Sequence, residues 1–135
     1  MPEKSRAFFV YNQFMAFDKT QNKSTGNLGE DLAARYLEDK GYKIMDRNLE
    51  FPYGEIDILA SIKNTIVIVE VKSVRGSGFG LAQELVRYKK QNKLRLLARG
   101  IVQRYPNKTV RIDVIGVDLF ANPPAIEHIE SAVEG

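Results

Sequence analysis

Apolar residues first recur at three- and four-residue intervals between Asn27 and about Lys40, where Leu28, Leu32, Ala33, Tyr36 and Leu37 fall on one face. This spacing predicts an amphipathic helix stopped by Gly41. The pattern then shortens to runs that suit strands, Lys43 to Leu49, Glu55 to Ala60 and Ile66 to Val71, with turns at Phe51-Pro52-Tyr53-Gly54 and Lys63-Asn64 between them. Ile66-Val67-Ile68-Val69-Glu70-Val71 is almost wholly β-branched, which predicts a central strand covered on both faces.

Gly76, Gly78 and Gly80 predict a loop, followed by a helix that runs to about Tyr105. Counted from Lys90 at 100° per residue, Leu94, Leu97, Ala98, Ile101 and Tyr105 share a face, with Lys93, Arg95 and Arg99 around the rest. Leu81, Leu85 and Tyr88 do not share that register, so a break is expected before Lys89. Thr109 to Val117 reads as a further strand, ended by Asp118 and the Asn122-Pro123-Pro124 segment, and Ala125 to Glu134 as a short last strand or a tail. The order helix, three strands, helix, strand gives an α/β fold: a mixed central sheet flanked by helices, with the first three strands meandering and the Thr109 strand parallel to the central one.

A chain of 135 residues, 44% hydrophobic and 27% charged, holds one globular domain with its own core. Met1 to Lys23 carries Phe8, Phe9, Phe14 and Phe17 but no small-residue cleavage site, so residues 1–25 read as an N-terminal extension and 26–135 as the domain. No apolar run approaches the ~20 residues of a membrane helix, so no membrane partner is expected. The absence of cysteine removes thiolate chemistry and disulfides, and fits a cytoplasmic protein.

Charge is segregated. From Lys72 to Arg111 eleven basic residues face the single acid Glu84, a local balance of +10 against −7 for the remainder. Such a segment is the footprint expected where phosphates bind, and Arg75, Arg87, Lys89, Lys90 and Lys93 are the candidate contacts.

Alternate strand residues share a face, so Glu70 and Lys72 point the same way at the end of the apolar run. A plain ion pair at a strand end explains those two alone. Asp57, mid-strand between Ile56 and Ile58, adds a second carboxylate that an antiparallel neighbour can place beside Glu70. Adjacent carboxylates raise each other's pKa unless a divalent cation holds both ionised, and oxygen-only ligation suits Mg²⁺ or Mn²⁺. Glu30, on the margin of the first helix's apolar face, either reaches the same cavity or closes a capping box with Asn27. Lys90, with Gln91 beside it, either snorkels along the second helix or points inward to meet a phosphate. His128, alone and without placed partners, reads as a surface or packing residue.

The series Gly29-Glu30-Asp31-Leu32-Ala33-Ala34, Gly41-Tyr42, Arg47-Asn48, Gly54-Glu55-Ile56-Asp57-Ile58, Val69-Glu70-Val71-Lys72, Lys90-Gln91, Arg111-Ile112-Asp113-Val114 and Ile126-Glu127-His128-Ile129 resembles the YraN-like family, uncharacterised protein family 0102. It covers about Gly26 to Ala132. The resemblance places the chain with the PD-(D/E)XK restriction-endonuclease-like superfamily and archaeal Holliday-junction resolvases. It implies Asp57 and Glu70 as metal ligands, Lys72 as catalytic lysine, Glu30 as the acidic helix residue and Lys90 or Gln91 as the second helix's contribution. The proline of the superfamily's name is absent, Glu55-Ile56 preceding Asp57. The implied activity is Mg²⁺- or Mn²⁺-dependent hydrolysis of phosphodiester bonds in DNA, on branched or recombination intermediates, with a homodimer as one arrangement for cutting two strands. The rival readings are a non-catalytic nucleic-acid-binding module and a protein-interaction module on the same fold.

Overall fold

The computed structural model describes residues 6–10, 22–74 and 91–133, with side chains over 28–73 and 92–133. Along the chain these form β1 (Arg6–Val10), α1 (Asn22–Asp39), β2 (Lys43–Phe51), β3 (Gly54–Ile62), β4 (Thr65–Val74), α2 (Gln91–Arg104), β5 (Thr109–Asp118) and β6 (Ala125–Ile129). One six-stranded sheet has the order β1-β6-β5-β4-β3-β2. β4 is therefore internal, antiparallel to β3 and parallel to β5, as its β-branched run predicts.

Alternation along the central strands divides the core in two. Val67 and Val69 of β4 join Ile58, Ala60, Ile115 and Val117 against Leu32, Tyr36 and Leu37 of α1. Ile66 and Ile68, one residue out of phase, join Leu59, Ile112 and Val114 against Leu94, Leu97 and Ile101 of α2. Each helix thus buries the apolar face its periodicity marks, at roughly 1.5–3 kcal/mol per fully buried large side chain. No described helix is long and apolar enough to cross a membrane.

Two features depart from the pattern, the start of α1 and the strand Arg6–Val10, and one open alternative is settled. Helix α1 starts at Asn22, five residues before the expected Asn27, because the polar stretch ahead of Leu28 continues the helix without an apolar stripe to announce it. Asn27 consequently lies inside the helix and is not its N-cap, so the capping-box reading of Glu30 falls. Ala125–Ile129 is a strand rather than a tail, and Arg6–Val10, within the segment read as an extension, pairs antiparallel with it at the sheet edge. The glycine loop and the break expected before Lys89 lie outside the described residues.

Candidate functional site

The site begins where β3 and β4 part. Their ladder runs from Ile62↔Thr65 to Ile58↔Val69 and gives no further pair, although the register would next bring Asp57 opposite Glu70. Instead the Asp57 side chain enters the fork, and its Oδ2 accepts the backbone N–H of Val71 at 2.9 Å. A side chain has replaced a strand carbonyl as the partner of that amide, so the parting does not leave the Val71 N–H unmet.

Glu30, Glu55, Asp57, Glu70, Val71, Ser73 and Lys93 line a cavity of about 380 Å³ at this fork. Four carboxylates from α1, β3 and β4 thereby meet one ammonium from α2. Glu70 is buried, with 8% of its surface exposed. Burial, followed by the charge of Glu70, pushes the Asp57 pKa up to about 7 against the opposing Val71 N–H. Glu30 is also raised, by burial first, with Arg47 pulling it back and Glu55 adding to the rise.

Helix α1 reaches the fork because Gly29 has no side chain: a Cβ there would sit 2.9 Å from Ser73 Oγ. This close approach brings Glu30, the next residue, to the cavity. The edge strand β2 holds the outer acids. Arg47 Nη2 lies 2.7 Å from Asp31 Oδ1 and 3.7 Å from Glu30 Oε1. With its amide nitrogen turned toward the acids, Asn48 donates to Glu30 Oε1 at 3.1 Å and Glu55 Oε1 at 3.2 Å. Asn48 adopts φ 53°, a left-handed conformation that asparagine tolerates better than most residues.

Lys93 is placed by a second glycine. Gly54, at φ 156°, has the Lys93 stem so close over its backbone that a Cβ would collide with Cε. Among the described residues Lys93 is the lysine lining the cavity; Lys72, two residues beyond Glu70 and half-buried, is not in its lining. Gln91 opens α2, its side chain lying outside the description, as do Lys90, Arg75, Arg87 and Lys89 altogether. Sequence reasoning assigned no site role to Glu55, Arg47 or Asn48. The signal for Glu55 was its period-two spacing from Asp57.

A model of the uncharacterised protein family UPF0102 matches residues 29–117, from the Gly29 contact through β5. The chain belongs to that family. Among its UPF0102 relatives, a protein of Syntrophus aciditrophicus is 43% identical over 122 residues, covering 89% of this chain and 96% of the relative. One from Rhodococcus opacus is 42% identical, covering 82% and 97%, and one from Alkaliphilus oremlandii 44%, covering 82% and 98%. The matched span of the UPF0102 chain contains every described residue of the acidic cavity.

The donors suit a hard divalent cation. Asp57 and Glu70 supply carboxylate oxygens at a wall that also includes Val71. Among the described residues no three His, Cys, Asp or Glu side chains converge as a ready-made cage. An ion here would take two carboxylates and complete its shell with carbonyl and water oxygens, the usual manner of Mg²⁺.

His128 lies elsewhere and is buried, with 2% exposed. Its Nε2 is 2.8 Å from Asp113 Oδ2 and its Nδ1 is 3.0 Å from Tyr36 Oη. Burial, then the charges of Tyr42, Glu130 and Asp113, raise the Tyr36 pKa, so the hydroxyl keeps its proton. The Asp113 carboxylate also accepts from Arg111 Nε and Nη2, both at 2.8 Å, and from the Ser131 N–H at 3.0 Å. This network ties α1, β5, β6 and the following turn together, which makes His128 a packing residue.

Proposed function

We propose that this UPF0102 chain is a metal-dependent endonuclease that hydrolyses phosphodiester bonds in DNA, branched or recombination intermediates included, as a member of the PD-(D/E)XK superfamily its motif resembles. The observation that carries the reading is Asp57 seated in the β3–β4 fork beside Glu70. A purely structural role accounts poorly for it. Two carboxylates confined together lose stability as a bare pair, and the Asp57 pKa is raised by burial first and by Glu70 second.

Bound between Asp57 and Glu70, Mg²⁺ or Mn²⁺ would lower the pKa of a water and neutralise charge on the scissile phosphate. The chain's own groups do the rest. The Val71 N–H fixes the orientation of Asp57. Glu30, steadied by Arg47 and Asn48, adds negative potential on the α1 side. Lys93 sets a cation at the rim where a phosphate would approach an otherwise acidic cavity. Lys72, on the Glu70 face of β4 by strand alternation, orients the attacking water or stabilises transition-state charge. Lys90 or Gln91 is the contribution of α2 to the site, and Arg75, Arg87, Lys89 and Lys90 extend the grip along the flanking backbone, so binding weakens with salt.

A second reading, a non-catalytic nucleic-acid-binding module, is favoured by the absence of Lys72 from the cavity lining. Purified protein assayed against linear, nicked, flapped and four-way DNA with Mg²⁺, Mn²⁺ or EDTA separates the two. The nuclease reading expects cleavage with metal and none in EDTA, with binding retained in both. Cleavage that is indifferent to EDTA, or none on any substrate with either metal, contradicts it.

A further inference from the structure

A larger cavity, of about 800 Å³, lies between α2 and the start of β5 and shares no lining residue with the acidic one. It exists because β6 pairs with β5 only from Val114 to Asp118. Beside the earlier part of β5 the chain end folds over instead, the Ala132 N–H donating to Ile112 O at 2.8 Å. The floor is aliphatic, made by Ala98, Val110, Ile112 and Val133, and Val102 stands at the mouth with 48% of its surface exposed. Arg95, Arg99, Arg111, Gln103 and Ser131 complete the wall, and among the described residues no acidic side chain lines it.

The three guanidinium groups are not equivalent. Arg111 is held by Asp113 and lies 3.4 Å from Glu130, so its charge is balanced. Arg95 and Arg99 stand one turn apart on α2, and Arg99 is exposed and makes no ion pair with the described residues. Arg99 is therefore the exposed cation at the mouth, while the half-buried Arg95 donates to Asn92 Oδ1 at 3.4 Å. Lys93 and Arg95 differ by two positions, roughly 200° around the helix, so α2 turns Lys93 to the acidic cavity and Arg95 and Arg99 to this one.

We propose that this cavity docks an acidic segment of a partner protein, which inserts a large apolar side chain between α2 and β5 and sets its carboxylates against Arg95 and Arg99. Size and chemistry select this occupant. The volume lies within the range of roughly 300–1,000 Å³ typical of ligand pockets. A phosphate backbone has no group to fill an aliphatic floor. A nucleobase stacks best on an aromatic ring, and among the described residues the lining contains no Phe, Tyr or Trp. An acidic peptide with one Leu, Ile or Phe satisfies both floor and rim, its apolar side chain as the anchor and its carboxylates as the orienting charges. The docked partner would leave the β3–β4 fork open.

The test uses fluorescein-labelled decapeptides in which Asp and Glu flank a single Leu, Ile or Phe, followed by anisotropy with the full chain. Controls carry Ala at the apolar position or Lys at the acidic ones, and a twelve-nucleotide oligothymidine serves as competitor. The proposal expects salt-sensitive binding of the acidic apolar peptides, weakened about tenfold or more by Arg99→Glu and by Val102→Asp, both exposed sites where folding is little affected. Neither the control peptides nor the oligonucleotide should occupy the site. Failure of every acidic apolar peptide to bind, or binding unchanged in both variants, overturns the proposal. Displacement by oligothymidine that the same variants abolish would also overturn it, reassigning the cavity to nucleic acid.

Discussion

Asp57 Oδ2 accepts the backbone N–H of Val71 at 2.9 Å, and this one bond ends the β3–β4 ladder and opens the acidic cavity. It also fixes a cost. Asp57 is driven toward its protonated form, first by burial and then by Glu70, so that without a cation the folded protein holds a proton there below about pH 7.

The first prediction concerns pH. The folded-state pKa of Asp57, about 7, lies above the value of 3.8 for an unfolded chain, so between these limits the native state binds more protons than the unfolded one. In EDTA the Asp57 contribution therefore falls as pH rises through that window and stays low above it. Asp57→Asn keeps an acceptor for Val71 and removes the titration, so its Tm relative to wild type should rise from pH 5 to pH 8 by several degrees. Differential scanning calorimetry at both pH values measures this; a constant difference would show that Asp57 is not strained by its surroundings.

The buried network predicts the opposite pH limb. Burial works to raise the Asp113 pKa, yet hydrogen bonds from His128 and Arg111 outweigh it and hold the pKa below the ordinary value. The stabilisation is present above the unfolded value of 3.8 and is lost as pH falls through the depressed one. Asp113→Ala should cost about 3–5 kcal/mol at neutral pH, since it strands the partly buried Arg111 and the fully enclosed His128. Urea unfolding measures the loss. A cost below about 1 kcal/mol would mean that the network stabilises little.

Gly54 and Lys93 should be energetically coupled. Gly54→Ala adds a Cβ where the Lys93 stem lies, on a backbone of φ 156°. The substitution should destabilise by about 1–3 kcal/mol and should cost measurably less when Lys93 is already alanine, because the collision then disappears. A double-mutant cycle in urea that shows no coupling would place Lys93 away from Gly54.

Much of the site was legible because its signals are local. The β-branched run of β4 marked an internal strand, and Asp57, thirteen residues before Glu70 across a tight turn, had a strand neighbour to meet. What stayed hidden depends on distant pairing. Arg6–Val10 joins Ala125–Ile129 across more than a hundred residues, and nothing local in either segment announces the other. His128 looked solitary for the same reason, with Tyr36 and Asp113 brought to it only by packing. The support from Arg47 and Asn48 required the left-handed turn at Asn48, which no pattern of apolar residues encodes.

Lys72 and Lys93 separate the catalytic and binding accounts. Lys72→Ala should abolish cleavage with DNA affinity preserved, because its proposed role lies in the transition state. Lys93→Ala should weaken binding and reduce its salt dependence by about one phosphate contact. Gel-shift titrations over a salt series, run beside single-turnover cleavage, measure both. An active Lys72→Ala enzyme would remove the catalytic lysine from the account.

The most direct measurement is single-turnover cleavage of four-way and linear DNA in Mg²⁺ by wild type, Asp57→Asn and Glu70→Gln, with DNA affinity measured in parallel in EDTA. Cleavage by wild type alone is predicted, with both variants binding DNA as tightly as wild type or more so, since each removes a negative charge facing a polyanion. Wild-type protein that binds DNA but cuts nothing in Mg²⁺ or Mn²⁺, or a Glu70→Gln variant that cuts as fast as wild type, would contradict the claim that the Asp57–Glu70 fork is a metal-dependent nuclease site.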